Sequence, residues 1–134
     1  MNISEGDAKA LIDAASRGDA DSIIALLDAG IDINAQDDKG ATALMRAVES
    51  GREDTVKLLL DHGADVNIQG RFLGYSAIVF AVKARNADLV EMLLAACNSK
   101  PPDLSFAIGV AQLSGNPRLI ELLKQAATNW AEEA

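Results

Sequence analysis

Residues 37–69, from Asp37 to Gln69, read DDKGATALMRAVESGREDTVKLLLDHGADVNIQ, and the segments on either side repeat this unit imperfectly. Asp37 and Gly40 suit a tight turn, because an Asp carboxylate bonds its own backbone and Gly takes positive φ without steric cost. Thr42 then stands where a helix N-cap belongs. From Ala43 to Ser50 the apolar residues Leu44, Ala47 and Val48 follow helical i, i+3, i+4 spacing, and Gly51 supplies a left-handed stop. A second helix is expected from about Glu53 to His62. Val56, Leu59 and Leu60 form its apolar stripe, acidic residues lie at its start, and Gly63 follows its end. The unit is an inner and an outer helix lying back to back, left by Ala64-Asp65-Val66-Asn67 as an extended arm.

Upstream, Ala14, Gly18, Ile23, Leu26, Leu27, Gly30, Asp32, Ile33 and Asn34 each precede a matching residue by thirty-three positions. The first helix of this unit is expected over Ala8 to Ser16, with Ser4 and Asp7 as a capping pair and Lys9, Asp13 and Arg17 on its exposed side. Downstream, Gly74, Ser76, Ile78, Ala81, Val90, Leu93 and Leu94 follow their counterparts by thirty-four positions, so one residue has been added within Ile68 to Tyr75. The next arm is replaced by Asn98-Ser99-Lys100-Pro101-Pro102-Asp103, whose prolines cannot donate ladder hydrogen bonds. A fourth, weaker unit matches the third at an offset of thirty. Gly115 falls against Arg85, Pro117 opens the outer helix, and Trp130 is placed to fold back as a lid.

The unit resembles the ankyrin repeat, whose thirty-three-residue period and T-P-L-H-x-A pattern appear here as Thr42-Ala43-Leu44-Met45-Arg46-Ala47. The resemblance continues through Gly51, Val56, Leu59-Leu60, Gly63-Ala64-Asp65 and Asn67. Two positions depart: Ala43 stands for the usual Pro and Met45 for the usual His, so Met45 cannot make the hydrogen bonds that the family's His gives to the hairpin backbone. The resemblance implies an all-α ankyrin-repeat solenoid of stacked helix-turn-helix units with short β-hairpin arms. It spans residues 1–134 as one domain, with repeats at approximately 4–36, 37–69, 70–100 and 101–134, the first and last acting as caps.

The bulk numbers fit one core: 134 residues with 49% hydrophobic content are too few for two comfortable domains. Net charge is −8, with fourteen acids and six bases in residues 1–66 and six of each in 67–134. An acidic first half repels phosphate backbones, and no basic stripe with interleaved aromatics offsets it, so no nucleic-acid partner is expected. The charge serves solubility or steers a basic partner. No stretch approaches a membrane span, the N-terminus lacks a signal-peptide pattern, and Cys97 is the one cysteine; the expectation is a cytoplasmic monomer without a membrane partner.

Chemistry finds little to build on. His62, the one histidine, sits in the last turn of a helix and reads as a surface cap. One His and one Cys thirty-five residues apart do not make a zinc site, and Cys97 reads as a packed small residue. Phosphate-loop, nucleophile-elbow and dinucleotide fingerprints are missing, and Asp37-Asp38 and Glu53-Asp54 read as turn and helix-start residues. The chain is expected to be no enzyme and to need no cofactor or metal.

The resemblance implies protein binding on a concave face built from hairpin tips and the exposed sides of inner helices. Those positions are Ser16, Arg17 and Gln36, then Asp38, Lys39, Ala41, Glu49 and Ser50, then Tyr75, Lys83 and Ala84, then Ser105, Leu113 and Ser114. The added loop brings Arg71, Phe72 and Leu73 beside Tyr75 in a chain with 4% aromatic residues. Apolar tips gain stability only when covered, at about 25 cal/mol per Å². The cover is a partner, which the hot-spot preference for Tyr and Arg favours, or the loop's own Phe72 or Leu73 folded back into the stack. Partner contacts are therefore assigned to Asp38, Lys39, Glu49, Arg71, Phe72, Leu73, Tyr75, Lys83 and Leu113, and Phe80 to the core. The alternative use of the same face is that of an inhibitor or immunity protein occluding a cognate enzyme or toxin.

Overall fold

The computed structural model describes residues 5–70, 74–97 and 100–133. Among them the chain forms four helix pairs: α1 (Glu5–Arg17) with α2 (Ala20–Asp28), α3 (Ala43–Glu49) with α4 (Glu53–Asp61), α5 (Ala77–Lys83) with α6 (Ala87–Ala96), and α7 (Leu104–Ser114) with α8 (Pro117–Glu133). Inner helices α1, α3, α5 and α7 pack in sequence, as do the outer helices α4, α6 and α8. One apolar seam runs between the two rows. Leu11, Ile23, Leu44, Leu59, Ile78, Leu89, Leu104 and Leu119 are at most 1% exposed, which places the periodic positions of every unit in a single continuous core.

Three successive corners close alike. The N–H groups of Asp19, Arg52 and Asn86 donate to the carbonyls of Ala14, Ala47 and Ala81 at 2.9, 3.0 and 3.1 Å. Each corner turns on a left-handed residue, at Gly18, Gly51 and then Arg85 with φ of 57°. A side chain in that region carries a steric cost of roughly 1–2 kcal/mol, so the third corner repeats the geometry of the first two without their glycine.

Thr42 caps α3 as expected, accepting from the Met45 N–H at 3.2 Å. The first helix begins at Glu5, earlier than the expected Ala8, which places Asp7 inside its first turn; Ser4 lies outside the described residues. Lys9, Asp13 and Arg17 are exposed, as a terminal unit requires. Trp130 does not fold back: α8 runs unbroken through it, and the ring packs half-buried against the core from within the helix.

No strand forms among the described residues, and the connections are turns. At the first tip Asp37 N–H donates to Ala41 O at 3.0 Å, and the Asp37 carboxylate accepts from the Lys39 and Ala41 N–H groups at 2.9 Å each. At the second, Gly70 N–H donates to Tyr75 O at 3.0 Å. Equivalent pairs thus enclose one more residue at the second tip, which locates the addition between Gly70 and Tyr75. Met45 and Val79, at the family's His position, are buried and apolar. Glutamines tie the tips instead: Gln36 Nε2 donates to Gly40 O at 2.7 Å and to Gln69 O at 3.1 Å, and Gln69 Nε2 to Gly74 O at 2.8 Å.

Candidate concave binding face

The inner helices and the turn tips line a groove whose character changes along its length. Between α1 and α3 an open pocket of about 490 Å³ sets Asp13, Asp37, Asp38 and Glu49 against Lys9 and Arg46. Arg46 is already engaged, 3.0 Å from Glu49 and 3.8 Å from Asp37. None of the ion pairs among the described residues uses Asp13 or Asp38, so this end keeps unneutralised negative charge.

One unit further on, a cavity of about 170 Å³ lies between Ala41, Met45, Tyr75 and Phe80, with Lys39 and Arg46 on its lining. Tyr75 is half-buried. Its ring stacks on Phe106 at 5.1 Å between centroids, meets Phe80 edge-on at 6.1 Å, and carries Lys83 Nζ 5.2 Å above its centre. This arrangement joins the third unit to the fourth. Beyond it, Phe106 is 47% exposed and Leu113 is 90% exposed on α7. Covering either side chain would remove apolar area from water.

Of the expected contact residues, Asp38 and Glu49 line the acidic pocket, Lys39 and Tyr75 line the neighbouring cavity, Lys83 lies over Tyr75, and Leu113 stands exposed at the far end. Arg71, Phe72 and Leu73 lie outside the described residues. Phe80, expected in the core, is half-buried and faces the groove through the Tyr75 contact. Phe106 was not anticipated.

A family model for ankyrin repeats in three copies matches residues 2–70, slightly more than half of the chain. The chain belongs to the ankyrin-repeat family. The match ends at Gly70, where the added residue enters the second tip and beyond which two prolines replace an arm, so the ankyrin pattern is strongest where the stack is most regular. No curated protein matches the chain. Ankyrin repeats in general serve as protein–protein interaction modules and are typically non-catalytic.

Other chemistry in this ankyrin stack is quiet. His62 Nδ1 donates to Leu58 O at 2.9 Å, closing the end of α4. The Cys97 thiol donates to Leu93 O at 3.2 Å, and burial, with the Asp65 and Asp103 carboxylates adding to it, pushes its pKa up to about 11. Among the described residues no group of three or more His, Cys, Asp or Glu is placed to hold a metal, and no helix is long and apolar enough to cross a membrane. On the outer side, an open groove of about 590 Å³ between α6 and α8 is lined in part by Leu94, Leu122 and Trp130, all half-buried and packed on the core. Each of these three is less exposed than Phe106 or Leu113.

Proposed function

We propose that this chain is a non-catalytic protein-binding module, a single monomeric domain, whose partner docks along the groove formed by α1, α3, α5, α7 and the two turn tips. The observation that carries this reading is Leu113, 90% exposed on the inner helix of the last unit, about two helical turns from a 47% exposed Phe106. A solvated cap would carry polar side chains there. The charged residues Asp38, Lys39, Glu49 and Lys83 flank the apolar part and supply register, while the Tyr75 ring, stacked on Phe106, holds that side chain in place. Arg71, Phe72 and Leu73 belong to the same contact set by their sequence position between Gly70 and Gly74. An adaptor and an occluding inhibitor would both use this face. The lone free thiol Cys97 supports a reducing, cytoplasmic location.

The test is capture of the partner with variants on opposite sides. Leu113→Asp and Glu49→Lys should lose a protein that wild type retains, while Lys57→Glu and Asp54→Lys, exposed on the outer helix α4, should keep it. Loss with the outer pair alone would move the binding surface to the convex side.

A further inference from the structure

The internal register lets the groove positions of successive inner helices be compared directly. In mid-helix, Asp13, Arg46, Phe80 and Val110 correspond at offsets of thirty-three, thirty-four and thirty; in the last turn, Ser16, Glu49, Lys83 and Leu113 correspond at the same offsets. Both rows run from polar or charged to apolar in the last unit, with a carboxylate at Asp13 and Glu49 and a cation at Arg46 and Lys83 one unit further on. The gradient is carried by equivalent positions and so reflects the sequence, not the local fold.

Building on the concave-face reading, we propose that the partner segment is bipolar: apolar side chains lie over Phe106, Val110 and Leu113, and Lys or Arg residues of the same segment lie over Asp13, Asp38 and Glu49. A wholly basic segment would leave Phe106 and Leu113 in water. A wholly apolar one would strip solvent from Asp13 and Asp38, which no ion pair among the described residues compensates. An acidic segment would meet four carboxylates around two cations in the first pocket. Only a segment that changes character along its length satisfies both ends. The cavity of about 170 Å³ between them is of the size that accepts one ring, since an apolar cavity of about 150 Å³ holds benzene. Neighbouring helices pack about 10 Å apart, so three steps along the stack span about 30 Å. About nine extended residues at about 3.3 Å each cover that length.

A phage-displayed library of random twelve-residue peptides, panned on the full chain, tests this. Enriched peptides should carry Leu, Ile, Phe or Trp in one half and Lys or Arg in the other. For a synthetic copy of the most enriched peptide, Asp13→Lys with Glu49→Lys should weaken binding about tenfold in 50 mM salt, and the difference should shrink in 500 mM salt. Leu113→Asp should weaken it about tenfold at both. Circular dichroism checks that each variant folds. Peptides that lose binding with Leu113→Asp but lack a basic end, or ignore the charge reversal, overturn the bipolar segment and leave the concave face standing. Peptides indifferent to all three substitutions, or a library without enrichment, overturn both. Should sedimentation show self-association that Leu113→Asp abolishes, the apolar end is covered by a second copy and the proposal fails.

Discussion

The Asp103 carboxylate accepts both the backbone N–H and the hydroxyl of Ser76, at 2.7 Å each, across twenty-seven residues of sequence. Ser76 opens α5 at 0% exposure, yet its hydroxyl makes no capping bond within its own helix, because it is turned to the next unit. Pro101 and Pro102 remove the backbone donors with which an arm would have joined these units. One carboxylate replaces them.

Asp103→Ala is therefore expected to destabilise the fold by about 2–3 kcal/mol, since a buried N–H and a buried O–H lose a charged acceptor. Asp103→Asn, which keeps one accepting oxygen, should cost about half as much. Urea unfolding measures both, with Asp38→Ala as the exposed comparison expected within about 0.5 kcal/mol of wild type. Equal effects of Asp103→Ala and Asp38→Ala would show that the Ser76 contact contributes nothing.

The last unit should open first. Gly109 sits in the middle of α7 where the third unit has buried Val79, and a Cβ there would meet nothing within 4 Å. Phe106 and Leu113 leave apolar area in water, so α7 buries less per turn than α3, whose Ala43, Leu44, Met45, Ala47 and Val48 are all buried. Stacks of repeats open locally from the weaker end. Amide exchange should be faster in residues 104–126 than in 42–62, and the reverse order would place the weak end elsewhere.

The thirty-three-residue register was legible because the corners depend on residues with few substitutes: Gly18 and Gly51 at positive φ, and the paired Asp and Asn of the arms. The added residue between Gly70 and Tyr75 was legible for the same reason, as a change of offset. Asp103 was not, because its partner Ser76 lies in another unit and nothing local to Pro101-Pro102-Asp103 names it. Nor was Phe106. The segment LSFAIGVAQLS of α7 is apolar nearly all round, so periodicity does not show which side faces water. The roles of Gln36 and Gln69 were hidden too, since a side-chain amide bonding a turn carbonyl leaves no periodic trace.

Cys97 should react slowly. A pKa pushed up to about 11 from an ordinary 9.0 lowers the thiolate fraction at pH 8 about a hundredfold, and the thiolate is the nucleophile. Labelling with a disulfide reagent at pH 8 should be tens of times slower in the folded protein than in denaturant. The sign follows from the raised value: the folded protein holds the proton longer than the unfolded chain, so this contribution to stability is present below about pH 9 and is lost as pH rises toward 11. Labelling at the unfolded rate would show the thiol to be open.

Gly18 and Arg52 couple the first two units. Arg52 Nε donates to Ser16 O at 2.9 Å, and a Cβ on Gly18 would come within 2.7 Å of Arg52 Cδ. Gly18 and Gly51 both hold the left-handed conformation, at φ of 73° and 72°, but nothing stands within 4 Å of a Cβ on Gly51. Gly51→Ala should cost only the backbone term, roughly 1–2 kcal/mol. Gly18→Ala should cost about 1 kcal/mol more, because Arg52 must move and release Ser16 O. Arg85→Gly removes the same backbone strain at the third corner and should raise stability by about 0.5–1 kcal/mol, the gain being reduced by the greater freedom of glycine in the unfolded chain. The cycle that separates the terms combines Gly18→Ala with Arg52→Ala. In that background the cost of Gly18→Ala should fall to that of Gly51→Ala, giving a coupling of about 1 kcal/mol by urea unfolding. Additive costs would mean that Arg52 yields without loss and that Gly18 and Arg52 are not coupled.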